Sequence, residues 1–182
     1  MTRAAEDQLT GIVLAGGQSS RMGEDKAALV WKGRTLLARA EATLMAAGCS
    51  SVLVSGRPDL PNGFADSQAQ AGPAHALLDA LAHTEGTNRG LLVIPVDMPL
   101  LQPDDLIPLA SRSADHACAW QDHPLPLFLP ATAVSQPRDD VWSIRKLIAR
   151  LGVDWLQPDA SRTARLRNIN TPEDFASLPS AD

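Results

Sequence analysis

The chain of 182 residues has few of the features that mark secreted, zinc-binding or membrane proteins. Its two cysteines, Cys49 and Cys118, are too few for a disulfide framework and lack metal-ligand spacing. No apolar run approaches the ~18 residues needed to cross a bilayer, and the polar residues 1–8 lack the apolar stretch of a signal peptide. These absences predict a reduced, cytoplasmic protein with a flexible tail over residues 1–8.

Positive charge is also scarce. Sixteen basic side chains stand against twenty-one acidic ones, which gives a net charge of -5. Nucleic-acid binding by phosphate neutralisation needs a basic surface, and the four tryptophans are not interleaved with basic residues as in single-strand binders. The composition therefore predicts neither a nucleic-acid nor a membrane partner, and an anionic ligand would need a local basic cluster.

Hydrophobic residues, by contrast, make up 45% of the chain, enough for one substantial core, and we predict a single domain over residues 9–182. Apolar periodicity predicts helices over residues 35–47, 73–83 and 141–151 and strands over residues 10–15, 51–55, 90–96, 115–120 and 125–129. Residues 57–72 and 130–140 resemble loops. Strands that are apolar on both faces favour a parallel sheet covered by helices, an α/β fold.

The segment after the first strand is the most informative. It combines an apolar strand end, paired glycines and basic residues, namely Leu14, Ala15, Gly16, Gly17, Arg21, Gly23 and Lys26. Glycines let the backbone approach a ligand, loop amides donate to phosphate oxygens, and the two cations supply positive charge. The spacing is not that of Walker A. A nucleoside triphosphate site is the functional interpretation; the alternative is a tight turn with solvated basic side chains.

This segment resembles the signature loop of the molybdenum cofactor guanylyltransferases, a branch of the nucleotidyltransferases. Three further segments extend the resemblance over most of the chain, namely Asp66 to Gly72-Pro73, residues 95–99 and residues 168–174. The resemblance implies a single three-layer Rossmann-like domain with a mainly parallel sheet. It also implies GMP transfer from GTP to Mo-molybdopterin with release of pyrophosphate.

Site roles follow from the resemblance residue by residue. It implies that Arg21, Lys26 and Asp97 are catalytic and that Asp97, at a strand end, binds Mg²⁺. Asp97 could instead cap the following loop. The remaining binding residues would be Leu14, Ala15, Gly16, Gly17, Asp66, Gly72, Asn168 and Asn170.

Several alternatives stay open at this stage. Asp66 could be an ordinary loop aspartate, and the two asparagines could belong to the turn before a helix capped by Thr171. Asp104 and Asp105 favour a helix amino terminus.

A cytidylyl- or sugar-nucleotidyltransferase, or a non-catalytic nucleotide-binding module in cofactor delivery, would use the same loop. At position 16 the chain has glycine, which resembles the loop of the guanylyltransferases, whereas the cytidylyl relatives tend to carry alanine there.

Two departures from the family pattern affect the expected base contacts. Ser55-Gly56-Arg57 lacks the asparagine that commonly precedes the arginine, and Ala74-His75-Ala76 lacks the second glycine of the usual turn.

The resemblance also implies cofactor-delivery proteins or molybdoenzyme apoproteins as partners.

Overall fold

The structure is a computed structural model that describes residues 8–16, 24–67, 73–84, 89–112, 116–132 and 143–180. The strands in these residues are β1 (Leu9–Leu14), β2 (Val30–Trp31), β3 (Arg34–Thr35), β4 (Cys49–Ser55), β5 (Gly63–Phe64), β6 (Gly90–Pro95), β7 (Cys118–Trp120), β8 (His123–Pro130) and β9 (Asp154–Leu156). The helices are α1 (Leu36–Ala46), α2 (Pro73–His83), α3 (Pro103–Arg112), α4 (Ile144–Leu151), α5 (Ala160–Arg165) and α6 (Pro172–Ala176), with a 3-10 turn over Lys26–Ala28.

Seven strands form one sheet in the order β5-β4-β1-β6-β8-β7-β9, and β2 pairs with β3 in a separate hairpin. β1 lies between β4 and β6 and runs parallel to both. The β4–β5 and β7–β9 pairs are also parallel, whereas β8 runs antiparallel to β6 and β7. The predicted mainly parallel sheet is therefore confirmed.

Helices cover both faces of the sheet, which gives three layers. On one face, α1 and α3 bury a cluster that includes Val13, Leu44 and Leu106. On the other face, α2 and α4 bury a cluster that includes Ile12 and Leu77. Neighbouring residues of β1 thus enter opposite clusters, because side chains alternate along a strand. This alternation explains why all six residues of β1 are buried and why most of them are apolar.

The structure confirms most predicted elements to within a few residues at each end. Residues 1–7 of the predicted tail lie outside the described residues, as do 113–115 and 133–142, which include one end of two predicted elements. The predicted loop over residues 57–72 is wrong in one respect, since β5 pairs there with the end of β4. A two-residue strand has no detectable periodicity of its own, and its pairing follows from the backbone course after Gly56.

The described helices are all too short or too polar to span a membrane.

Candidate functional site

The candidate site lies where the parallel strands β1, β4 and β6 end. Ligands of open α/β sheets bind at this carboxyl edge, beside the point where the chain order reverses. Here β1 is that point, since the chain passes from β1 to β4 on one side and later to β6 on the other. Within the described part of the chain, the predicted polar site residues form two groups, one on each side of the end of β1.

The first group surrounds Asp97, which lies two residues after the end of β6. The Asp97 Oδ2 atom lies 2.9 Å from Lys26 Nζ, and its Oδ1 atom accepts a hydrogen bond of 2.8 Å from Asn168 Nδ2. Lys26 Nζ also donates to Asn170 Oδ1 at 3.1 Å. Asp97 and Lys26 side chains are each 16% exposed. Four residues that lie up to 144 positions apart in the chain thus form one hydrogen-bonded network at the edge.

The two asparagines enter this network from an extended segment between α5 and α6. Their side chains contact Lys26 and Asp97, as expected for residues two apart on extended backbone. The alternative, that these asparagines belong to the turn before a capped helix, also holds in part. The backbone N–H of Asn170 donates to Asp174 Oδ2, beside a capping box formed by Thr171 and Asp174. The cap of α6 therefore orients the backbone whose side chains face Asp97.

Lys26 is held by a short helical turn. Asp25 Oδ1 accepts from the Ala27 amide and so caps the 3-10 turn that Lys26 begins. The other oxygen of Asp25 lies 2.7 Å from Arg57 Nη1, just beyond the end of β4. This Asp25–Arg57 pair was not predicted from the sequence. The available signal was Asp25, the charged residue directly before Lys26. Its partner Arg57 lies 32 residues away in the chain, so local sequence does not indicate the pair.

The second group packs Asp66 against two glycines. Ser55 Oγ donates to Asp66 Oδ1 at 2.5 Å. A Cβ atom on Gly16 would overlap Asp66 Oδ2, and one on Gly56 would overlap Gly16 Cα. Gly56 also has a φ of +77°, which favours glycine. Position 16 therefore accepts only glycine while Asp66 keeps this place, and Ser55 is a further site residue that sequence reasoning missed.

The remaining predicted residues divide into backbone contacts and undescribed positions. Leu14 is buried at the end of β1 and its carbonyl accepts from the Val96 amide, while the Ala15 amide donates to Ser55 O. These bonds tie the start of the glycine loop to the two neighbouring strands. Gly17, Arg21 and Gly72 lie outside the described residues.

A divalent cation fits the Asp97 side chain. A carboxylate offers about four lone-pair directions, and Lys26 and Asn168 use two of those at Asp97. The part of the chain that the structure describes holds no group of three histidine, cysteine or acidic side chains that could enclose a metal. Mg²⁺ is commonly bound by one or two carboxylates together with substrate phosphates and water, so a single carboxylate at this edge is sufficient.

A cavity of about 460 Å³ lies between α4 and the β7–β9 end of the sheet. Because β7 runs in the same direction as β6, the β7–β8 turn at Gln121 and Asp122 lies at the same edge as Asp97. The turn residues line the cavity together with Arg145 and Trp155, and Ile148 and Val153 form an apolar wall. This size and mixture of polar and apolar groups is typical of small-molecule pockets.

The sequence matches known proteins over most of its length. Residues 11–153 match the family model of the MobA-like NTP transferase domain. The chain is 38% identical over 177 residues to the molybdenum cofactor guanylyltransferase of Xanthomonas euvesicatoria, and the match covers 93% of each protein.

Solved structures share the fold at lower identity. The molybdopterin-guanine dinucleotide biosynthesis protein A of Archaeoglobus fulgidus has a TM-score of 0.70 and 20% identity, covering 92% of this chain and 95% of that one. Rv0371C of Mycobacterium tuberculosis, solved in complex with manganese, has a TM-score of 0.67 and 20% identity, covering 94% and 97%. The predicted three-layer nucleotidyltransferase architecture is thereby confirmed.

Proposed function

Because the chain belongs to the MobA-like NTP transferase family, we propose that it is a molybdenum cofactor guanylyltransferase. It would transfer GMP from GTP to the terminal phosphate of Mo-molybdopterin and release pyrophosphate. The name of the Xanthomonas relative and a match over 93% of each chain support this choice within the nucleotidyltransferases. We also propose that residues 9–182 form one domain and that the enzyme acts in the cytoplasm.

The observation that carries the proposal is the network of Lys26, Asp97, Asn168 and Asn170 at the carboxyl edge of the sheet. It combines a cation for phosphate oxygens, a carboxylate for a metal, and amides that can donate and accept. Nucleotidyl transfer needs these groups near one phosphorus atom, because positioning and charge stabilisation supply most of the catalysis in phosphoryl-type transfer.

Magnesium is the divalent ion we propose, held by Asp97 together with substrate oxygens. When bound, such an ion would neutralise charge on the triphosphate and polarise the reacting phosphorus. Lys26 would stabilise the departing pyrophosphate, together with Arg21. The manganese complex of the structural neighbour supports a divalent ion in this fold.

The side of the site around Asp66 would bind the nucleotide. Gly16 and Gly17 would let the backbone approach GTP, with Leu14, Ala15 and Gly72 completing the pocket. We assign the base contact to the Asp66 carboxylate, which lies beside Gly16, since guanine offers an N1–H and an N2 amino group as donors. A site that hydrogen-bonds this edge rejects other bases, because its polar groups would be left unpaired.

The acceptor side would begin at Asn168 and Asn170 and extend toward the cavity under α4. Neighbouring strands lie about 4.8 Å apart, so the ends of β6 and β7 are roughly 10 Å apart across β8. A fused pterin ring system has this order of length. Trp155 offers an aromatic face, and Asp122 and Gln121 offer acceptors for a pterin amino group.

The acceptor phosphate needs little help to react. Its second pKa is about 6, so at neutral pH the attacking oxygen is already largely deprotonated. That oxygen would form a bond to the α-phosphorus of GTP as the bond to the bridging oxygen of pyrophosphate breaks. The described contacts of Asp97 and Lys26 come from carboxylate, ammonium and amide groups, which suits a reaction without a general base.

The test is pyrophosphate release from GTP, CTP, ATP and UTP in turn, with Mg²⁺ and with or without molybdopterin. We expect release and a guanine dinucleotide product only with GTP and the acceptor together, and loss of both on chelation of the metal. Asp97→Asn is the inactive control, and Asp59→Asn, an exposed loop carboxylate, is the matched active one.

Other outcomes would replace the proposal. Equal use of CTP would favour a cytidylyltransferase, and transfer to a sugar phosphate would favour a sugar-nucleotidyltransferase. GTP binding without pyrophosphate release under any condition would favour a non-catalytic module that passes the cofactor to delivery proteins or molybdoenzyme apoproteins.

A further inference from the structure

A fully buried carboxylate joins two parts of the molecule that meet again at the site. Asp105, in the first turn of α3, is 0% exposed. Its Oδ1 and Oδ2 atoms accept from Arg165 Nη2 and Nε at 2.6 and 2.8 Å, and Oδ1 also accepts from Arg162 Nε at 3.1 Å. The Gln102 amide donates to Oδ2 at 3.0 Å. The expected role of Asp105 at a helix start is confirmed, but the two arginines are an addition that local sequence could not show.

These bonds attach the short helix α5 to the start of α3. α5 spans six residues and buries none of them. An isolated helix of this length is unstable in water, so its place depends on contacts with the rest of the fold. Arg162 and Arg165 provide such contacts, and the Arg162 guanidinium also stacks over the Trp120 ring at 4.4 Å. The Trp120 indole in turn donates to the Asp105 carbonyl at 2.9 Å.

Both chain segments anchored at Asp105 lead directly to Asp97. On one side, the loop from Asp97 reaches the Gln102 amide through Met98 and Leu101, which are buried. On the other side, α5 continues through the buried Leu166 to the segment of Asn168. The backbone N–H of Ile169 donates to the Asp97 carbonyl at 2.8 Å, so the two segments are also bonded to each other at Asp97. Short, packed connections of this kind transmit a displacement at one end to the other.

We propose that Asp105 is a positioning residue for nucleotidyl transfer. Through Arg162 and Arg165 it fixes α5, and α5 holds the Asn168 and Asn170 side chains against Asp97 and Lys26. This inference rests on the proposed function, because the positioned groups are those assigned to the transfer site.

The test is a double-substitution cycle between Asp105→Asn and Asn168→Ala. The amide at position 105 retains the size of the side chain but loses the charge that holds both arginines. We expect Asp105→Asn to lower kcat about tenfold, within the range for coupled groups in one hydrogen-bond network, with little change in KM for GTP. Adding Asn168→Ala should then lower kcat by much less than it does in the wild-type chain.

Leu81→Ala provides the matched control, because Leu81 is buried in the α2 cluster on the opposite face. This variant destabilises the fold without touching α5. In its background Asn168→Ala should retain its full effect on kcat. Arg165→Gln removes the Arg165–Asp105 ion pair at its partly exposed partner and keeps the Arg162–Asp105 pair. This variant replaces Asp105→Asn in the test if Asp105→Asn does not fold.

Amide hydrogen exchange over residues 160–170 separates this inference from the proposed function. Exchange there should rise in Asp105→Asn or Arg165→Gln and stay unchanged in Leu81→Ala, whether or not the protein transfers GMP. Unchanged exchange, or losses in kcat that multiply as for independent sites, would overturn the positioning role. Absence of transfer in the wild-type protein with altered exchange in the variants would instead overturn the proposed function.

Discussion

Two ion-pair clusters on the same side of the sheet differ in burial and in how they are bonded. The Lys26–Asp97 pair lies at the open edge, with both side chains 16% exposed and one strong contact between them. The Asp105 cluster is closed, with the carboxylate fully buried and bound by two arginines and a backbone amide. The first arrangement keeps some access to solvent and leaves lone pairs of Asp97 for a ligand, whereas the second uses its groups within the protein.

This difference teaches which cluster should affect chemistry and which should affect stability. A pair at an open edge costs less to separate than an enclosed one, because water and ligand can replace each partner. A buried carboxylate that loses its partners, or arginines that lose their carboxylate, leave charge without compensation. Substitutions at the two clusters should therefore give opposite balances between turnover and the free energy of unfolding.

The largest effect is expected for Asp97→Asn. The amide keeps the shape of the side chain but lacks the charge that binds a divalent ion, so turnover should fall by more than about 10³-fold, an effect of several kcal/mol on the barrier. The free energy of unfolding should change less than in Asp105→Asn, since the Asp97 side chain is 16% exposed and Asp105 is fully buried. Pyrophosphate release at increasing Mg²⁺ gives the measurement. Full turnover at ordinary Mg²⁺ would move the metal site elsewhere, with Asp66 the next residue to substitute.

Lys26→Ala should follow, with a loss of about 10² to 10³ in turnover, the range for one preorganised charge stabiliser. The fold should remain, because the cap of the 3-10 turn comes from Asp25 rather than from the lysine side chain. Lys146→Ala, an exposed lysine on α4, is the control and should keep wild-type turnover. Near-normal turnover in the Lys26 variant would remove this residue from the site.

The buried cluster should respond in stability first. Asp105→Asn should lower the free energy of unfolding by about 2–4 kcal/mol, less than a fully enclosed pair would lose because both arginines are partly exposed. Urea titrations of this variant and of Asp97→Asn at neutral pH make the comparison directly. Equal stability of the two variants would contradict the distinction between the clusters.

Acid sharpens the same comparison. Burial alone would raise the pKa of Asp105, but hydrogen bonds from Arg165 and the Gln102 amide, with the charge of Arg165, hold that pKa below its ordinary value. Since the folded-state pKa is depressed, the ionised group stabilises the fold above the unfolded value of about 3.9 and that contribution is lost as pH falls below it. We expect the wild-type chain to lose stability in this range more steeply than Asp105→Asn.

Measurements of unfolding free energy from neutral pH down to the acid limb test this slope. The pKa of Asp174 is also lowered, by bonds from the Asn170 and Thr171 amides, but it contributes equally in both proteins. The difference between their slopes therefore isolates Asp105. Parallel slopes would show that Asp105 titrates alike in the folded and unfolded chains.

The open site was much more predictable than the closed cluster, and the reason is physical. β1, α1, β4, α2 and β6 have local apolar patterns long enough to detect, and the resemblance supplied Lys26, Asp97 and the asparagines. The partners of Asp105 lie 57 and 60 residues away on α5. That pairing depends on how α3 and α5 pack, which local periodicity does not specify. The short strands β5 and β9 were missed for the same reason.

The smallest effect is expected at a third ion pair, between Arg57 and Asp25, which extends the comparison to an exposed case. Arg57 is 23% exposed and Asp25 50%, and their atoms lie 2.7 Å apart. Exposed pairs contribute little, since each partner is well solvated when separated. Asp25 still caps the turn of Lys26 when Arg57 is absent, so Arg57→Gln should lower kcat/KM by no more than about threefold and leave the urea midpoint unchanged. Pyrophosphate-release kinetics beside Lys26→Ala provide the scale. A loss as large as that of Lys26→Ala would mean that Arg57 contacts the triphosphate itself, and a GTP KM raised with kcat intact would identify that contact.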